Sequence, residues 1–222
     1  MPLPSNVISL AAFREELAVR FPEAMPLPTR QWATGWEEID ALEGGLPCNA
    51  ITELCSSAAC GGFFLHRVLA SLRERRGLAA LVDGGRTLDP GSYDAAAFAR
   101  LLTVFCETAE QSVKVTDLLL RDGNLPLVLL DLQAVPLRSL GRIPTSTWHR
   151  FQRLVERSGT ALVVMTPQPI VEAARVRITL RARWSLAALK RPRRELFASI
   201  HAQIYRRGKQ AAPMKEVRSR TA

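Results

Sequence analysis

The chain has 222 residues, 47% of them hydrophobic, and no apolar run approaches the roughly 18 residues that a membrane-spanning helix needs. This length and apolar content fit one compact domain with short arms and exclude a chain that stays disordered. Thirty Lys and Arg against 21 Asp and Glu give a net charge of +9, unevenly spread: residues 1–137 carry −6 and residues 138–222 carry +15.

Such a basic end suits contact with a polyanion or an acidic partner surface. A plainly solvated face is the alternative, because 26 of the 30 cations are Arg, the residue that GC-rich coding favours. Cys48, Cys55, Cys60 and Cys106 are irregularly spaced, form no C-x-x-C pair and have only scattered histidines for company, so we expect buried thiols and no metal site. Charged residues interrupt Asn6 to Phe21 where a secretory leader would be apolar, which makes the cytoplasm the expected location.

Along the chain, Val7, Leu10, Phe13, Leu17 and Phe21 recur at helical spacing and predict an amphipathic N-terminal arm over residues 1–30, tethered by the linker that carries Pro22, Pro26 and Pro28. Phe13, Leu17 and Phe21 are its candidate anchors, either on another subunit or on its own core. A core over residues 31–209 follows, opening with a short helix from Trp36 to Leu42. Strands are predicted at Ala50 to Leu54, Ala79 to Asp83, Thr103 to Cys106, Leu127 to Asp131 and Ala161 to Thr166. Helices are predicted at Phe63 to Arg76, Asp94 to Leu102, Ala109 to Arg121 and Thr145 to Ser158. This alternation describes a mostly parallel α/β sheet with flanking helices and ligand space beyond its carboxyl edge.

The pattern then changes period. From Arg175 to Trp184 it alternates strictly, with Arg175, Arg177, Thr179, Arg181 and Arg183 on one face, which predicts a half-buried strand. A basic loop with Arg193 and Arg194 leads to a second alternating run, Leu196 to Ile204, so the sheet should end in an antiparallel hairpin. The Arg face is a candidate track for single-stranded DNA, since alternate strand residues lie about 6.6 to 7 Å apart. Aromatics interleaved on that face would strengthen the reading, and the strand offers only Trp184, on the opposite side. Residues 210–222 read as a basic, loosely ordered tail.

The first strand-to-helix turn, Cys55 to Phe64, is the phosphate-binding candidate of such a sheet. If Ser56 and Gly61 stand at the glycine positions of G-x-x-x-x-G-K-[ST], Gly62 replaces the Lys and Phe63 the Mg²⁺-binding hydroxyl. Phosphoryl transfer leans on both groups, so no turnover is expected; backbone N–H groups at a helix starting near Phe63 remain an anion site, and Phe63 and Phe64 are expected to plug the vacated space.

Taken together, Thr34-Gly35 through Asp40, Gly44-Gly45-Leu46-Pro47 and Ile51 to Leu54 resemble the entry to a RecA-type core. Val128 to Asp131 resembles its Walker B strand, and Arg207-Gly208-Lys209 its segment that reaches a neighbour's nucleotide. The resemblance implies that Gly85 stands where the catalytic Glu would be. It also implies that no long DNA-binding loop fits between Thr166 and the Arg-rich strand. A short RecA-like chain with a lost P-loop and a basic hairpin is most similar to the ImuA group. That similarity implies no nucleotide cofactor and a non-catalytic role in the SOS response and translesion synthesis. The implied partners are RecA, an ImuB-like Y-family protein and a DnaE-type error-prone polymerase, with single-stranded DNA a further candidate and no membrane. SulA-type inhibitors of FtsZ and ATP-dependent recombinases with an atypical P-loop are the alternatives.

Overall fold

A computed structural model describes residues 30–41, 44–93 and 95–206. The N-terminal arm, with Phe13, Leu17 and Phe21, and the segment with Arg207 and Lys209 lie outside the described residues. The elements run β1 (Gln31–Trp32), α1 (Glu37–Asp40), β2 (Leu46–Pro47), β3 (Ile51–Cys55), α2 (Ala58–Arg75) and β4 (Ala79–Asp83). They continue with β5 (Leu101–Phe105), α3 (Ala109–Asp122), β6 (Leu127–Asp131), α4 (Leu137–Leu140), α5 (Thr145–Ser158) and β7 (Ala161–Thr166), and close with β8 (Val176–Arg181), α6 (Arg193–Ala198) and β9 (His201–Arg206).

The seven-stranded sheet has the order β5-β4-β6-β7-β3-β8-β9, parallel throughout except for the antiparallel β8–β9 hairpin. The central strands β3, β4, β6 and β7 are buried on both faces, and β4, β6 and β7 read as apolar runs up to their last residue, as parallel strands between helical layers do, whereas β3 carries Thr52 and Glu53. One face packs on α2, through Phe64, Val68, Leu69 and Leu72; the other packs on α3 and α5, through Leu120, Phe151 and Val155. Gly123 and Gly159 end α3 and α5 at φ of 71° and 72°, where a side chain would be strained. None of the described helices is long and apolar enough to cross a membrane.

Five expectations need correction. First, α2 begins at Ala58, five residues before Phe63, because nothing in Ala58-Ala59-Cys60 resists helix. Second, a short 3-10 segment, Ala95–Arg100, replaces the helix expected from Asp94 to Leu102, and β5 starts at Leu101 by pairing with Ala79. Third, the run Leu196 to Ile204 is not one strand. Pro192 fixes the first turn of α6, Phe197 turns onto Trp36 at a centroid distance of 4.6 Å, and pairing resumes only at His201. Fourth, the Arg-rich strand stops at Arg181, which leaves Arg183 beyond the ladder. Fifth, Phe64 does not fill a vacated phosphate pocket. Phe64 is core, and Phe63 meets Trp184 at 5.5 Å and Phe197 at 6.2 Å, clamping the hairpin connection onto α2.

Candidate functional site

The carboxyl end of β3 runs into the turn from Ser56 to Ala58, beside the end of β7, where Ser56 N–H donates to Thr166 O at 3.0 Å. Ser57 is the N-cap of α2 with extended backbone, so the chain passes from strand to helix in two residues. Gly61 N–H already donates to Ser57 O at 3.0 Å, and Gly62 and Phe63 follow within the same helix. Residues 58–62, which a P-loop would spend wrapping a phosphate, are helical backbone here.

A residue without any motif to mark it completes the turn. Gln133, two residues past β6 and buried, donates its amide Nε2 to Ser56 O at 3.0 Å, Ser56 Oγ at 2.6 Å and Ser57 O at 3.2 Å. A Cβ on Gly61 would fall 1.9 Å from Gln133 Oε1, so glycine is required for this close approach. The only signal in the sequence is its place two residues after the acidic end of an apolar strand, which also puts its N–H 2.9 Å from Asp131 Oδ1.

Two carboxylates sit side by side where β4 and β6 end, in register as Asp83 and Asp131. Asp83 is fully buried and accepts from the N–H groups of Gly85 (3.1 Å), Thr87 (3.2 Å) and Leu88 (2.8 Å), which fixes the following loop. Burial pushes the Asp131 carboxyl up to about 6; the Gln133 N–H opposes this, the charge of Asp83 reinforces it, and the Thr87 hydroxyl opposes it. Among the described residues no group of three or more His, Cys, Asp or Glu is placed to hold a metal.

Above this floor opens a cavity of about 440 Å³, lined among others by Gly62, Tyr93, Asp131, Met165, Arg191 and Arg193. The Arg193 guanidinium lies 6.0 Å from the Tyr93 ring centroid, and burial raises the Tyr93 phenol above its ordinary range. Arg193 lines this cavity, and both it and its neighbour Arg194 are exposed on α6.

Three curated proteins show what the chain is similar to. RecA of Thioalkalivibrio sulfidiphilus is 32% identical over 91 residues, 40% of this chain and 26% of that protein. RecA of Symbiobacterium thermophilum is 35% identical over 92 residues, again 40% and 26%. RecA of Bifidobacterium breve is 31% identical over 97 residues, 40% and 23%. The chain is a relative of RecA. It matches over about a quarter of the length of these relatives, and no family model matches it.

The RecA-like entry motif has a structural role in this chain. The Asp40 carboxylate accepts from Thr34 N, Thr34 Oγ1 and Gly35 N, each at 2.8 Å, and so folds α1 back on the chain that precedes it. The nucleotide site does not carry over. Its cradle is helix, Gln133 occupies the inside of the turn, Gly62 and Phe63 bring no Lys or hydroxyl, and Gly85 is packed so that a Cβ would meet Ala134 Cβ at 2.8 Å. These residues do not fit a P-loop nucleotide. Gly61, Gly62, Phe63 and Asp131 line the cavity, Ser56 is held by Gln133, and Gly85 packs against Ala134.

The arginine ladder is also revised. Arg177 turns inward and puts Nε 2.7 Å from Glu53 Oε2, against a carboxylate with no exposed surface. Its alternation with Arg175 and Arg181 holds no hint of this, because the partner is 124 residues away. Arg175, Arg181 and Arg183 stay exposed.

Proposed function

We propose that this chain is a non-catalytic, RecA-like accessory protein of the bacterial DNA-damage (SOS) response. In this reading it acts in translesion synthesis and induced mutagenesis by binding RecA and an error-prone polymerase complex of ImuB-like and DnaE-type proteins. The observation that carries it is the closed turn from Ser56 to Ala58, in a chain whose relatives are RecA proteins. A RecA-like surface without a nucleotide switch can join the end of a filament without supporting the next subunit, and so caps or destabilises it.

An exposed sheet edge supports a protein-binding role. Among the described residues the outer strand β5 is paired on one side only, and Leu102 and Phe105 are 50% and 48% exposed on it. The test is size-exclusion chromatography with light scattering of the purified chain mixed with RecA from the same organism, with and without ATP and single-stranded DNA. A shared peak, or loss of the RecA filament peak, is the expected result. Independent peaks in every condition would remove RecA as a direct partner and turn attention to the polymerase complex or FtsZ.

The non-catalytic part has its own check. Gly62→Lys should fold normally, because a Cβ there meets nothing within 4 Å, yet should hydrolyse no ATP, since the lysine would still stand on a helix rather than over a phosphate cradle. ATP turnover by the unmodified protein, measured as phosphate release, would sink the pseudo-enzyme reading.

A further inference from the structure

Five large apolar side chains, Phe63, Leu65, Leu81, Met165 and Leu196, line the cavity at the carboxyl edge of the sheet. Its volume of about 440 Å³ falls within the roughly 300–1,000 Å³ in which proteins hold ligands. Gly62 lines it too, and a Cβ there would meet nothing within 4 Å, so the space is open on that side.

Cations border this apolar lining. Arg191 and Arg193 belong to the cavity itself, and Arg183, Lys190 and Arg194 stand exposed in the same connection between β8 and β9. From Arg183 to Arg194 there are five cations and no acid. Arg193 donates to Ser92 O at 3.4 Å, whereas Arg183, Lys190, Arg191 and Arg194 make no ion pair with a described residue. Between Arg183 and Lys190 in the chain, Leu186 is 86% exposed. The connection is held in place: Trp184 meets Phe63 at 5.5 Å and donates its Nε1–H to Ser199 Oγ at 2.8 Å, and Phe197 packs on Trp36. A surface ordered beforehand spends little on ordering when a partner arrives.

We propose that the cavity and its cationic border bind an acidic peptide segment of a partner protein, one large apolar side chain of the peptide entering the cavity and the carboxylates around it meeting Lys190, Arg191 and Arg194. Charge complementarity sets the sign of the partner, and the apolar lining sets its anchor. A small acid inside the cavity would reach Arg191 and Arg193 but leave Lys190, Arg194 and Leu186 without a role. A phosphate chain fits less well, because Asp89 and Asp131 line the same cavity and the Tyr93 ring already has the Arg193 guanidinium 6.0 Å from its centre. Neither terminal stretch of this chain is such a segment: residues 1–29 carry three acids and two cations, and residues 207–222 one acid and five cations. The proposal does not depend on RecA being a partner, and either binding test can fail while the other succeeds.

The test is fluorescence anisotropy of labelled peptides of about ten residues, roughly 33 Å when extended, titrated with the full chain at several salt concentrations. Each peptide is Asp and Glu throughout except for one central Phe, Leu, Tyr or Trp, and the control has Ala there. At least one of the four should bind about tenfold or more tighter than the Ala peptide, the gain expected from burying one large apolar side chain. Gly62→Leu and Gly62→Trp fill the cavity from an open position and should erase that preference. Arg191→Glu with Arg194→Glu should weaken binding about tenfold or more and flatten its salt dependence. Arg142→Glu with Arg153→Glu, an equal charge change at exposed sites on and beside α5, should change affinity less than about twofold. Circular dichroism verifies the fold of each variant. Any of four results would overturn the proposal: no binding of any peptide, equal binding of the Ala peptide, a preference that survives in both Gly62 variants, or displacement by ATP or an oligothymidylate as strong as by unlabelled peptide.

Discussion

Glu53→Ala is expected to cost the fold about 3–5 kcal/mol, the loss typical of removing one partner from a buried ion pair. Glu53 sits in the middle of β3 with no exposed surface, and both of its carboxylate oxygens are engaged. Its Oε1 accepts from Ile170 N (2.6 Å), Val171 N (3.0 Å) and Thr166 Oγ1 (3.2 Å), and its Oε2 faces Arg177 Nε at 2.7 Å. One carboxylate therefore ties the short connection between β7 and β8 to the sheet and anchors β8 against β3.

Alanine would strand two buried N–H groups as well as the guanidinium, each short of a partner. Glu53→Gln keeps one carbonyl oxygen for Ile170 and Val171 and should lose less. Replacing both partners by apolar side chains, Glu53→Leu with Arg177→Met, should recover part of the loss, because no charge is then left buried alone. Urea unfolding of the four proteins at one pH is the measurement. A loss below about 1 kcal/mol in Glu53→Ala would mean that the pair is not what holds the connection, since a surface pair is worth no more than that.

The second large effect is a pH dependence. The Asp131 carboxyl titrates at about 6 in the folded chain against an ordinary 3.8, mainly because burial disfavours its charge. Between those values the native state holds a proton that the unfolded state has released, so stability falls as pH rises through that window, and the loss is complete above it. Below the ordinary value both states are protonated and the group has no effect. Asp131→Asn should therefore stabilise the protein by about 1–3 kcal/mol at neutral pH, because each tenfold change in proton affinity is worth about 1.4 kcal/mol, and make little difference in acid. The asparagine oxygen still accepts from Gln133 N–H, so the local turn survives. Unfolding of both proteins at a neutral and an acidic pH decides it: a difference that does not change with pH would show that Asp131 is already charged without penalty in the native state.

This carboxylate lies at the carboxyl edge of the sheet, in a cavity that Arg191 and Arg193 also line. The missing Lys and hydroxyl are readable in the chain, since Gly62 and Phe63 stand at their positions. The loss of the cradle is not, because helix propensity alone does not say whether Ala58 to Gly62 will wind or wrap. Gln133 decides it with three acceptors that come from residues 76 and 77 positions earlier.

The same division runs through the hairpin. Alternation from Arg175 to Trp184 predicts one face with Arg175, Arg177, Arg181 and Arg183, but β8 holds only Arg177 and Arg181 of these, and whether each arginine is free depends on what the fold brings to it. Glu53 takes Arg177, and the register with β9 brings Tyr205 and His201 to the outside. Leu196 to Ile204 misleads because alternating apolar residues satisfy a strand and, over six residues, also a short helix after a proline.

Hydrophobic period, length and punctuation are local properties of a chain, and they suffice here for the α/β class, the strands β4, β6 and β7 to the residue, the helix α5 and the antiparallel end of the sheet. The closed turn at Ser56, the buried Glu53–Arg177 pair and the mixed aromatic and cationic face of the hairpin have no local signature. Each joins residues far apart in the chain, and sheet order and register alone set where they meet.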